Sequence, residues 1–160
     1  MIHTRAGVIK RVEAEYRSLD AVVRKLAPAG LRKPAMRDEA PIRFTAKDVL
    51  AHINAWKWRQ ARVTAKDTSP ERPYEPPRLA KIADINAGID KRSHRTPATT
   101  IVAEHRAAQR AMLKALRAAP PDYFRKQHSA QWPFDAVGHS AEHRRKHLEP
   151  LLPARTPRAR

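Results

Sequence analysis

Cysteine is absent from the 160-residue chain. This excludes disulfides, thiolate zinc sites and a cysteine nucleophile, and leaves histidine and carboxylate as the available metal ligands. Glycine is almost as scarce, with four residues. No phosphate-cradling glycine loop, G-x-S-x-G elbow or paired-carboxylate motif can be found. No apolar run approaches the roughly 20 residues that span a bilayer. The start, MIHTRAGVIKRVEAEYRSL, has no apolar signal-peptide core. A cytoplasmic location and no membrane partner are expected. Acidic residues are also short, sixteen against thirty-three Lys and Arg, for a formal net charge of +17. Such a surface attracts phosphate-bearing partners. The basic residues are nevertheless dispersed, the densest groups being Arg144-Arg145-Lys146 and the tail from Pro153 to Arg160. Weak, non-specific nucleic-acid binding is the expectation.

What the chain does contain is a soluble, ordered composition, 41% hydrophobic and 31% charged, of a length that suits one domain. Helical periodicity dominates, and no strand signal or internal repeat is present. A first helix runs from near Thr4 to Leu26, with Ile9, Val12, Tyr16, Leu19, Val22, Val23 and Leu26 at steps of three and four. Pro28 and Gly30 close it, and residues 31–43 read as a loop. A second helix starts at Thr45, where the threonine caps and Asp48 suits the helix dipole. Its inward face is Val49, His52, Ile53, Trp56, Gln60 and Val63. Prolines 70, 73, 76 and 77 make residues 66–78 a long connection. A shorter helix follows from Leu79 to about Ile89. Thr96-Pro97 opens the third long helix, with Ile101, Val102, His105, Met112 and Leu116 on one side. A turn at Tyr123-Phe124 packs over the bundle end. The last helix spans about Trp132 to Leu152, and its apolar stripe is crossed by Arg144 and Arg145, which would have to snorkel at the margin. The fold expected is an all-α, antiparallel four-helix bundle over residues 1–152, with a disordered basic tail at 153–160. Nothing distinguishes a monomer from a homodimer.

Histidines carry the candidate chemistry. His143 and His147 stand four apart on the last helix, so both project from one face, a turn apart. His139 lies one turn earlier on the same row, so the pair could be His139 and His143 instead. His52, inward on another helix, can supply a third corner. Three imidazoles with an open position make a catalytic type of metal site, which zinc, nickel or iron would accept. Alone, an HxxxH step among eight histidines is incidental more often than not. Trp56 reads as core, and Trp58 points elsewhere. His105 reads as a core or boundary histidine, with a fourth ligand as its other role. Glu104, Glu142 and Asp48 are candidate bases that no spacing singles out.

The stretch Thr45-Ala-Lys-Asp-Val-Leu-Ala-His-Ile-Asn-Ala-Trp56 resembles the second-helix signature of DinB-like proteins, in which a metal-binding histidine is followed by tryptophan. Trp132-Pro-Phe-Asp-Ala-Val-Gly-His-Ser-Ala-Glu-His-Arg-Arg-Lys-His-Leu-Glu149 resembles their fourth-helix signature and is closest to the ClbS/DfsB-like branch. Asp84-Ile-Asn-Ala-Gly-Ile89 is similar to that branch too. The resemblance implies a DinB-type four-helix bundle and a divalent metal held by His52, His143 and His147, with His139 at a position that often carries a small polar residue. It also implies a metal-dependent hydrolase or thiol-dependent transferase acting on a small, electrophilic molecule. Arg144 and Lys57 depart from the branch's pattern and add positive charge. The other reading is a non-catalytic, basic protein that holds nucleic acid.

Overall fold

A computed structural model describes residues 3–35, 44–67, 82–124 and 133–153. The expected loop tip and connection fall mostly outside them, as do Trp132 and the tail. Five α-helices account for most of the described chain: α1 (Arg5–Leu26), α2 (Ala46–Asp67), α3 (Ile82–Arg95), α4 (Ala98–Ala118) and α5 (Pro133–His143).

Each start has a local cause, though not always the expected one. The Thr4 hydroxyl accepts the Gly7 amide at 3.1 Å and caps α1. Ahead of α2, the Asp48 carboxylate accepts both the Thr45 amide (2.9 Å) and its hydroxyl (2.7 Å). This is the reciprocal half of a capping box, with Asp in the Glu position. Thr96 does not cap α4, however. Its hydroxyl donates backwards to the Arg92 carbonyl at 2.9 Å, closing α3, while Pro97 precedes α4 without a side-chain cap.

Two apolar clusters set the helix directions. One joins Leu19, Val22, Val23 and Leu26 of α1 to Val49, Leu50 and Ile53 of α2, Ile101 of α4 and Leu148 beyond α5. The other joins Val8 and Val12 to Ala61, Met112, Leu116, Tyr123 and Phe124, with Val137 against it. Hence α1 and α5 run from the second cluster to the first, and α2 and α4 run the opposite way. The all-α bundle is antiparallel between these pairs, but α2 and α4 are parallel neighbours, as a long crossover permits. The Tyr123-Phe124 turn covers one end as expected, and the Tyr123 and Thr64 hydroxyls lie 3.0 Å apart.

Between the clusters lies a polar layer. His105 is fully buried, its ring stacked on Tyr16 at 4.8 Å. The Lys57 ammonium donates to Gln109 Oε1 at 3.3 Å and stands 5.3 Å over the Tyr16 ring. The Asn54 amide donates to the Ile101 carbonyl at 3.0 Å. Among the described residues no helix is long and apolar enough to cross a membrane.

Candidate metal centre

The N-terminal half of α2 carries His52 toward α5, where His139 and His143 stand one turn apart on a regular helical stretch. The three rings meet edge to face or tilted, with centroids 4.5–4.9 Å apart. His139 Nε2 is 3.0 Å from His52 Nε2 and 3.1 Å from His143 Nε2. Ligand atoms of all three lie within 4.8 Å of one another.

Hydrogen bonding alone serves this arrangement badly. A neutral imidazole nitrogen is either a donor or a single-lone-pair acceptor, yet His139 Nε2 faces two like atoms at once. A cation between the nitrogens resolves the conflict. Nitrogens bound at about 2.0–2.1 Å to one ion stand roughly 2.8–3.4 Å apart for angles from octahedral to tetrahedral. The two observed separations fall inside that interval, so the residues fit a divalent ion.

Protonation favours binding as well. Burial, reinforced by the neighbouring imidazoles His139 and His143, pushes His52 down to about 3. Burial and the charges of His139 and His147 push His143 down to about 4. Burial lowers His139 too, against the opposing pull of Glu142. All three are therefore neutral at physiological pH, as ligands must be. The Nδ1 of His143 is buried and meets no hydrogen-bond partner among the described residues.

Of the expected ligands, the structure brings His52 and His143 together but not His147. The third place in the cluster belongs to His139, and His147 stands beyond His143 at a ring separation of 5.3 Å. The cause is a change of winding. The helix is regular to His143, whereas Arg144–Leu148 form a π-turn in which the Glu149 amide donates to the Arg144 carbonyl five residues back. A short 3-10 turn, Glu149–Leu151, ends it. The four-residue step that aligns His139 with His143 does not carry on unchanged to His147. The last helix is thus not the single regular segment expected.

Several other residues also differ from expectation. Trp56 is half-buried beside the histidines and not in the core. Its ring lies 6.3 Å from His52 and 5.8 Å from His139, and its indole N–H donates to Asn86 Oδ1 at 3.3 Å. Arg59 sits 5.8 Å over its ring. The Lys47 ammonium donates to the carbonyls of Ser93, His94 and Thr96 at the end of α3. Arg92 pairs with Glu104 of α4 at 3.0 Å. Both ties hold α3 where Asn86 reaches the indole. His105 is a core histidine, as expected, with Asp20 at 3.8 Å and no place in the cluster. Lys57 faces the polar layer, and Arg144 does not snorkel but is gripped by Glu15. Asp48 is a capping residue, Glu104 is paired with Arg92, and exposed Glu142 is held by Lys146 at 2.6 Å.

A family model for the DinB superfamily matches residues 10–151. The chain belongs to the DinB superfamily. No curated protein and no solved structure matches it. Metal binding is typical of the superfamily, and the three histidines are a group able to hold an ion.

Proposed function

We propose that this DinB-superfamily protein is a metal-dependent enzyme, a hydrolase or thiol-dependent transferase acting on a small electrophilic molecule. The observation that carries the reading is the convergence of three half-buried, neutral imidazoles on one point. His52, His139 and His143 are the proposed ligands. A bound zinc, nickel or iron ion would supply Lewis acidity and lower the pKa of a water or thiol.

The chain's own groups suit that role. Three neutral imidazoles would leave the charge of a bound divalent ion uncompensated by the protein, which suits Lewis-acid chemistry on an anionic or ionisable group. Three protein ligands would leave room on the ion for a group from outside the chain. Trp56 stands beside His52 and His139, and Asn86 holds its indole N–H. A rigid aromatic wall packs the body of a small substrate and excludes bulk water from one side of the site. The charge of Glu142 raises the pKa of both His139 and His143 against the effect of burial.

The test begins with metal-stripped protein titrated with Zn(II), Ni(II) and Fe(II). Hydrolysis of activated esters and epoxides is then assayed with and without an added low-molecular-weight thiol. One ion per chain and ion-dependent turnover that disappears in His52→Ala support the reading. Tight binding without turnover of any electrophile, together with a fourth protein ligand on the ion, would make the site structural.

A further inference from the structure

Arg144 follows the ligand His143 directly, and three acceptors hold it. Its Nε and Nη2 donate to the two oxygens of Glu15 in α1 at 2.9 and 3.0 Å, a two-pronged pair. Its Nη1 donates to Glu149 Oε1. The buried Ser140 hydroxyl adds a 3.3 Å hydrogen bond to Glu15. Glu15 and the Arg144 side chain are only 9% and 14% exposed, so the group sits where such pairs are strong and directional.

The Arg144–Glu149 contact carries geometric information. Successive residues of an α-helix are about 100° apart, so side chains five positions apart point about 140° away from one another. They do not meet on a regular helix. A turn closed five residues back winds more loosely and brings those positions to nearly the same face. In this chain the backbone bond that defines the turn joins the same two residues, from the Glu149 amide to the Arg144 carbonyl. The side-chain pair therefore needs the π-turn and reinforces it once formed, and Glu15 fixes the assembly to α1.

We propose that Arg144, clamped between Glu15 and Glu149, is the positioning residue that decides which histidines bind the metal. This rests on the metal-site reading above. Holding the π-turn keeps His147 off the row of His139 and His143, so the ion takes His139 as its third ligand. Without the clamp the last turn relaxes toward regular winding. His147 then falls four residues after His143 on the same face and competes for the ion.

Glu149 is the residue to change, because its side chain is 38% exposed and Glu15 still satisfies the guanidinium. Co(II) serves as the probe, its visible spectrum reporting the ligand set, in the full-length chain. The measurements use wild type, Glu149→Ala and Glu149→Gln, each also combined with His139→Ala and His147→Ala. Circular dichroism and melting midpoints confirm that each variant is folded. Loss of the clamp should weaken Co(II) binding by about 10–100-fold, as for other residues that orient metal ligands. In wild type His147→Ala should change neither affinity nor spectrum. In both Glu149 backgrounds His147→Ala should alter both, and His139→Ala should become less damaging. Identical effects of the two histidine changes with and without Glu149 would overturn the inference and leave the metal site standing. Absence of Co(II) binding by wild type would overturn the metal-site reading itself, and this inference with it.

Discussion

Two histidine environments, one half-buried and one fully buried, lie in one bundle. On the α2–α5 side, His52, His139 and His143 turn their Nε2 atoms toward one another at 3.0 and 3.1 Å. In the polar layer between α1, α2 and α4, His105 lies flat against Tyr16, and neither ring nitrogen has a hydrogen-bond partner among the described residues. Burial is the main cause at both and makes the two look alike to a proton. It pushes both His52 and His105 down to about 3, with Lys57 and Arg106 adding to the effect at His105. A depressed histidine is therefore no sign of a metal site. Convergence of lone pairs separates the two, and only the α2–α5 group has it.

That difference is open to attack at both sites. The largest effect should come from His139→Ala, which is expected to abolish tight binding of a divalent ion. His105→Phe should leave the affinity unchanged, since phenylalanine keeps the stack on Tyr16. Isothermal titration of metal-stripped protein measures both. Equal losses in the two variants would erase the distinction.

A smaller effect concerns acid. The folded pKa of each of these histidines lies below its unfolded value of about 6.5. The unfolded chain then takes up more protons, and stability drains away as pH falls from about 6.5 toward 3. The contribution of His105 is on the order of 2–4 kcal/mol, because no water reaches the ring and Asp20 is already engaged by Arg24 at 2.7 Å. Urea titrations of the metal-free protein across that range should show a shallower decline in His105→Phe. An unchanged decline would assign acid sensitivity to the α2–α5 cluster alone.

The smallest effect is at the surface. Arg144 and Lys146, in the densest basic run, are tied to Glu15, Glu149 and Glu142, which leaves Arg145 as its exposed, untied member among the described residues. Duplex DNA or RNA should bind weakly and without sequence preference. Each phosphate neutralised steepens the log–log salt dependence by about 0.9, so removing residues 153–160, with three arginines, should lower the slope by at most about three units. Nanomolar affinity at physiological salt in a fluorescence titration would favour a nucleic-acid-binding protein instead.

Much of the bundle could be read from local signals. The spacing from Ile9 to Leu26 places α1 within a residue of its observed span. The Thr45–Asp48 pair marks the start of α2. His52 is readable as inward because Val49 and Ile53 flank it on a buried face. What could not be read depends on contacts distant in sequence. Arg144 looks misplaced on an apolar stripe until Glu15 of α1 is beside it. Lys57 looks like a neighbour of the site because it follows Trp56, yet the 100° step between adjacent helical residues sends it to another face. The HxxxH step fits two pairs, His139–His143 and His143–His147, equally well. Only the winding after His143 separates them, in a stretch where Glu15 and Glu149 hold Arg144 and Pro150 follows. The DinB-like signature pointed to His52 and His143, which the structure brings together, whereas the cluster's third histidine is His139 and not His147.

The most direct test of the metal centre is X-ray absorption at the metal edge of the Zn(II)-loaded protein. Three imidazole nitrogens at about 2.0–2.1 Å are expected, with one fewer in His139→Ala and the same shell in His147→Ala. A shell that survives His139→Ala intact, or that loses an imidazole in His147→Ala, would contradict a centre built from His52, His139 and His143.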